Sequence, residues 1–291
     1  MNRFSIKDIE NLTGIKAHTI RIWEQRYGIL RPKRTPTNIR FYDAEDLKSA
    51  LRISLLNSFG YKISRIHQMT EEDMNGLINK ISDADFKLQI LTNELLQAAL
   101  SMNSILFEQL LNNNIRKRGI EATIEGLVFK YLEKVGLMWM TNNLIPAQEH
   151  LSSHVIYRKL AFAIDQLPLE ASGPGVLLFL PEGEIHDIGL MYVHYLLRKA
   201  GMQAVYVGAN TPMQDVEAVY KVCKPHYLYT HLSSVAESLD GARYLKKLAE
   251  SFPDARIMVS GGLLKKKKFQ PAANMQFLYS LTEVRDAIAG L

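Results

Sequence analysis

The chain has 291 residues, of which 47% are apolar, which is enough for two or three domains with buried cores. Its formal charge is +5, but residues 1–70 carry 13 Lys and Arg against 6 Asp and Glu, so the other 221 residues are slightly acidic. One cysteine, Cys223, excludes an internal disulfide framework and a cysteine-based zinc site. No apolar run approaches the roughly 20 residues that span a bilayer, and the N-terminus has no signal-peptide core. A cytoplasmic protein that does not enter a membrane is expected, with its basic N-terminal module facing a polyanion.

Ser5 is a helix-cap residue, and Ile6, Ile9 and Leu12 follow it at helical spacing. Gly14 breaks that helix, and a second is predicted from about Ala17 to Tyr27. Helix, short Gly-containing turn and helix is the helix-turn-helix pattern. The basic, Pro-punctuated stretch from Gly28 to Tyr42 reads as a hairpin wing, and Asp43 opens a further helix. Ile20-Arg21-Ile22-Trp23-Glu24-Gln25-Arg26-Tyr27-Gly28, the wing residues Arg40-Phe41-Tyr42 and Phe59-Gly60-Tyr61-Lys62-Ile63-Ser64-Arg65-Ile66 resemble the MerR family of winged-helix regulators. Trp23, where many members have Tyr, is typical of the light- and cobalamin-responsive branch. The resemblance implies that residues 1–75 bind double-stranded operator DNA. The second helix would enter the major groove with Thr19 and Arg21 near its exposed start, while Arg40 and Tyr42 contact the backbone. Trp23 and Ile20 are expected in the core.

Residues 80–167 hold four helical patterns: Phe86 to Leu100, Ile105 to Ile115, Ile120 to about Trp139, and Pro146 to about Leu167. The breaks are short and polar (Met102-Asn103, Lys117-Arg118-Gly119, Thr141-Asn142-Asn143), so an up-down four-helix bundle is expected. Trp139, nine further residues and then Glu149-His150 form one notable spacing. His150 and His154 lie four apart without a third ligand at suitable spacing, so a separate metal site is not expected.

After the linker 167–175, short strand candidates at 176–180, 204–207, 227–230, 257–260 and 277–279 alternate with helical patterns at 187–200, 213–223, 237–251 and 282–290. This alternation predicts an α/β domain over 175–291, an open parallel sheet that binds ligands beyond its carboxyl edge. Glu184-Ile185-His186-Asp187-Ile188-Gly189 follows the first strand. Acid-x-His-x-x-Gly at that place resembles the cobalamin-binding signature. Thr230-x-Leu232, where the family usually has Ser first, and Gly261-Gly262 fall into register with it. A lone loop histidine is ordinarily a solvated one; three pieces in register argue otherwise. The resemblance implies a flavodoxin-like (Rossmann-type) fold with His186 as the lower cobalt ligand. Glu184 is the candidate partner of its second ring nitrogen. Asp187, Thr230 and Leu232 join the cofactor site. Gly189 and Gly261-Gly262 would let backbone approach the corrin edge and the nucleotide tail. The run Lys265 to Lys268 reads as a solvated loop.

With that domain beside the bundle, the Trp139 and Glu149-His150 spacing resembles the CarH/LitR-type photoreceptor regulators. This implies that Trp139, Glu149 and His150 form the upper wall over the adenosyl group. Members of that group can carry a His directly after that Trp; here it is Met140, which opposes a bis-histidine photoproduct through this position. The expected protein is a regulator and not an enzyme. It uses adenosylcobalamin as chromophore and assembles as a dimer or tetramer. Two alternatives remain: a dark cobalamin sensor, and a corrinoid methyl carrier, which would have no use for a basic winged helix.

Overall fold

The computed structural model describes residues 3–81, 83–232 and 240–291. The chain forms two units, residues 1–155 and 156–291.

In the first unit, α1 (Ile6–Thr13) starts at a capping box in which Ser5 and Asp8 satisfy each other's backbone N–H groups. It ends at Gly14, whose φ of 76° is the left-handed geometry that terminates helices. Helix α2 (Ala17–Tyr27) follows, then a wing of two antiparallel strands, β1 (Lys33–Arg34) and β2 (Arg40–Phe41). Asn38, at φ 63°, turns the wing, and the Arg34 guanidinium donates to its side-chain and backbone oxygens. Asp43 and Asp46 make a second capping box for α3 (Ala44–Ser58). The short α4 (Ile63–Ile66) and α5 (Glu71–Lys80) complete this part. Trp23 and Ile20 are buried, as expected.

The four expected bundle helices are present as α6 (Ala84–Leu100), α7 (Ser104–Thr123), α8 (Phe129–Met140) and α9 (Pro146–Asp165). The expected break at Lys117-Arg118-Gly119 is a kink rather than a loop. Gly119 takes φ 81°, and helix resumes at once into a π-helical turn at Ile124–Val128 before α8. The kink is held by Thr123, whose hydroxyl contacts the Gly119 carbonyl and the Asn114 side chain. Trp23, Ile53, Leu56, Ile66, Ile78 and Phe86 form one buried cluster, so the winged helix and the first bundle helix share a core. Burial of each such side chain stabilises by about 1.5–3 kcal/mol, which makes this seam a strong attachment.

The second unit is an all-parallel five-stranded sheet: β3 (Gly175–Pro181), β4 (Gln203–Thr211), β5 (Tyr227–His231), β6 (Arg256–Ser260) and β7 (Met275–Leu278). Helices α10 (Ile188–Lys199), α11 (Met213–Cys223), α12 (Gly241–Ser251), α13 (Gly262–Lys266) and α14 (Leu281–Ala289) intervene. The helix expected over 237–251 begins outside the described residues. The order β4-β3-β5-β6-β7 is the flavodoxin-like winding, with its switch point between β3 and β5. β3 is buried from Val176 to Pro181, which is why its sequence is a continuous apolar run. Among the described residues no helix is long and apolar enough to cross a membrane. The Lys265–Lys268 side chains are exposed, with the first two closing α13.

Candidate functional site

The β3–α10 loop places the expected ligand residue at the carboxyl edge of the sheet, beside the switch point. Glu184 is buried at 5% exposure, whereas the His186 side chain is 55% exposed. One carboxylate oxygen of Glu184 accepts from both the backbone N–H of His186, at 3.0 Å, and its ring Nδ1, at 2.8 Å. A carboxylate only accepts, so Nδ1 carries the proton and Nε2 is the nitrogen suited to a metal. The sequence-derived pairing of these two residues is therefore present in the fold.

Several residues that sequence reasoning did not single out build this loop. Asn210, at the end of β4 with φ 53°, accepts from Gly183 N–H at 2.8 Å and donates its own N–H to the Glu184 carbonyl at 2.9 Å. His231 is the middle residue of Thr230-x-Leu232. Its Nδ1 lies 2.8 Å from the Ser260 hydroxyl, which also bonds Tyr229 at 2.6 Å. Burial pushes the His231 pKa down to about 4, against the attraction of the Glu184 carboxylate. The signal that could have found these residues was slight: an Asn before Thr-Pro, and a second histidine inside a motif gap.

Asp187 accepts from the Tyr206 hydroxyl at 3.0 Å, and burial raises its carboxyl pKa. Tyr206 also meets Tyr157 and stacks on His194, 5.0 Å between centroids. Thr230 Oγ1 is buried beside the Tyr244 hydroxyl without a well-formed hydrogen bond. Leu232 is buried; its N–H donates to Ser260 and its carbonyl accepts from Leu263.

The two loop glycines are also constrained by the protein itself. A methyl group at Gly189 would lie 3.0 Å from His231 Nε2, and one at Gly261 would lie 2.3 Å from the Leu232 carbonyl oxygen. Their missing side chains make room for the protein's own ring and backbone. Gly262 is exposed as the first residue of α13.

In the first unit, Trp139 at 48% exposure, Met140 and Ile145 leave large apolar side chains uncovered at the end of α8 and in the following turn. Glu149 accepts from the Ser153 hydroxyl, and its second oxygen lies 3.6 Å from His150 Nε2. The His150 ring stacks loosely on His154, 6.1 Å between centroids. Among the described residues no three His, Cys, Asp or Glu side chains gather as a metal site.

On the winged helix, Thr19 is half-buried and Arg21, His18 and Arg26 are exposed on α2, as a groove-reading helix requires. Arg40 instead turns inward to Glu24, 3.6 Å away, although a third of its side chain remains exposed. Tyr42 also faces inward. It is 0% exposed, and its hydroxyl donates to Glu24. Its backbone pairs with Phe4. In this structure it braces the wing from inside, whereas the sequence reading places it at the DNA backbone.

The residues present fit a cobalamin. The donor set is a neutral imidazole held by a buried carboxylate, and the buried Thr230 hydroxyl stands at the same edge. Residues 4–73 match the family described as MerR HTH family regulatory protein, and residues 91–163 match the B12 binding domain. The chain is 26% identical over 267 residues to the HTH-type transcriptional repressor CarH of Myxococcus xanthus, covering 89% of this chain and 88% of that protein. It is 26% identical over 253 residues to the repressor CarA of the same organism, covering 86% and 81%. The monomethylamine corrinoid protein of Methanosarcina barkeri shares the fold with a TM-score of 0.52 at 17% identity, over 70% of this chain and 99% of that one.

Proposed function

We propose that this chain, a MerR-type transcriptional regulator with a B12-binding domain of the CarH kind, is a repressor that uses adenosylcobalamin to sense light. The observation that carries this reading is the Glu184–His186 pair at the sheet's switch point, in the same chain as a basic winged helix.

His186 would ligate cobalt through Nε2, with Glu184 fixing its tautomer and ring orientation. Thr230, Leu232 and Asp187 would line the same edge. Trp139, Glu149 and His150 would cover the upper face, where an exposed indole gives up water-contacting surface on burial. Adenosylcobalamin, when bound, would supply a light-sensitive cobalt–carbon bond, so the cap residues would meet a different group in dark and light. The cap residues would bind the dark form better, and that difference in affinity is what shifts the assembly. The dark form would be a dimer or tetramer able to hold double-stranded operator DNA through Thr19 and Arg21, with Arg40 on the wing.

Met140 favours one second reading. A methionine after Trp139 cannot give the imidazole that would trap a photoproduct there, so a dark cobalamin sensor is the alternative. Absorption spectra, sizing and operator binding of the protein loaded with adenosylcobalamin, before and after green light, separate the two. Light-dependent loss of assembly and DNA affinity supports the photoreceptor. Identical behaviour in both conditions sinks it and leaves the sensor.

A further inference from the structure

The first unit contains a second polar site that the cofactor chemistry does not use. A cavity of about 310 Å³ lies where the winged helix meets the bundle. Thr13 at the end of α1 and Ser54 on α3 form one side; Gln89 and Asn93 on α6, with Lys130 and Lys134 on α8, form the other. The three hydroxyls of the lining are already committed, Ser54 donating to the Thr13 carbonyl, Thr13 to the Ile9 carbonyl and Thr92, on α6, to the Leu88 carbonyl. The available donors therefore come from the bundle side.

Lys134 is the informative residue. Its ammonium donates to Asn93 Oδ1 at 2.7 Å, and among the described residues no carboxylate pairs with it. Lys130 meets Asp85 at 3.7 Å, but Asp85 is exposed and is not part of the wall. Lys134 is half-buried, and desolvation lowers its pKa to about 8, as partial burial of a cation without a counter-charge does. A lysine that merely packed its stem on Leu12, Leu51 and Leu55 would carry its head out to water. This one is tied back by Asn93, which fixes the amide donor of Asn93 as well. Beside Leu12, Leu51 and Leu55, the wall thus presents ammonium and amide N–H groups, and among the described residues no acid lines it.

We propose that this cavity binds a small oxyanion, a phosphate group, with Lys134 and Asn93 as fixed donors and Lys130 as a second cation. A lysine serves phosphate as a point charge, and the cavity has room for more than a lone phosphate. An anion seated there touches both α1–α3 and α6–α8, so it stabilises the state in which the winged helix is docked on the bundle. The site is independent of the cofactor reading.

Calorimetric titration of the full-length chain with inorganic phosphate, at ionic strength held constant with chloride, tests this. Saturable binding and a raised melting temperature are expected. Lys134→Met should weaken binding by about tenfold or more, as loss of a charge-assisted hydrogen bond does. Lys265→Met, an exposed lysine of α13 outside this unit, should change nothing. Phosphate held by the basic wing alone would survive Lys134→Met, so unchanged affinity in that variant overturns the proposal, as does absence of saturable binding by the parent protein. Should Lys134→Met fail to fold, Asn93→Leu decides by the same criterion. Tighter binding of glycerol phosphate than of inorganic phosphate assigns the site to a phosphate ester; equal or weaker binding assigns it to the free ion. Acetate binding as well as phosphate overturns the phosphate assignment.

Discussion

Glu184 holds His186 through one oxygen at two points, backbone and ring, and is itself buried. Such outer partners commonly govern metal affinity, so Glu184→Gln should weaken cobalamin binding by about 10- to 100-fold. Titration followed by the visible spectrum measures it, and an unchanged affinity would remove Glu184 from the site. Gly261 presents the opposite case, a position fixed by space. At φ 117°, with the Leu232 carbonyl oxygen 2.3 Å from any added methyl, Gly261→Ala should destabilise the sheet domain by about 1–3 kcal/mol or more. Chemical denaturation of the cofactor-free protein would show it; an unshifted midpoint would mean that the backbone relaxes freely. His194 gives a pH dependence. Burial first, and the nearby Arg198 second, lower its pKa from 6.5 to about 4. Above pH 6.5 folded and unfolded chains are both neutral at this residue. Between 6.5 and 4 the unfolded chain takes up the proton and the folded one does not, so stability falls as pH falls. His231 shifts the same way, so the test is a difference: His194→Phe should lose less stability than the parent between pH 6.5 and 4.5. Equal slopes would show that His194 titrates normally.

At the scale of elements, the winged helix separates exposed residues proposed to meet DNA from buried residues that hold shape. Arg21 is exposed on α2, whereas Tyr42 is buried and bonded to Glu24. Arg21→Ala should leave the melting temperature alone, weaken operator binding and reduce the salt slope by about one if it contacts phosphate. Tyr42→Phe should do the reverse. It leaves the buried Glu24 carboxylate short of one donor, lowers stability by about 1–3 kcal/mol and preserves the salt slope of what remains folded. Gel-shift assays at several salt concentrations, with thermal melts, distinguish the pair. A salt slope that changes in Tyr42→Phe would restore it to the DNA contacts. The same burial explains why sequence reasoning misplaced Tyr42. On a two-stranded wing, neighbouring residues face opposite sides, and nothing in Arg40-Phe41-Tyr42 says which side meets the core.

At the scale of the whole molecule, the proposed switch joins an apolar cap to a ligand loop. Trp139, Met140 and Ile145 leave large apolar side chains exposed, and a cofactor is the proposed cover. Trp139→Ala should therefore abolish the adenosylcobalamin-dependent change of size while His186 still binds the corrin. Met140→His should lengthen the life of the light state by offering an imidazole. Size-exclusion chromatography in dark and light reads both variants; dark assembly that survives Trp139→Ala would deny the indole its role.

Much of this protein was set by local chemistry. Ser5, Asp43 and Gly14 fix helix ends because a cap's hydrogen bonds are made within a few residues, and the run Val176–Leu180 announces a strand buried on both faces. Glu184 and His186 lie two apart on one loop, so their pairing was legible too. What lay beyond local reading are contacts between segments distant in sequence. His231 fills the space at Gly189, Asn210 ties down the ligand loop from a neighbouring strand, Tyr42 turns inward to Glu24, and Lys134 faces Asn93 across two helices. A side chain's neighbours across a sheet edge or a helix seam depend on strand order and packing, which no spacing along the chain encodes, and only the tertiary structure decided them.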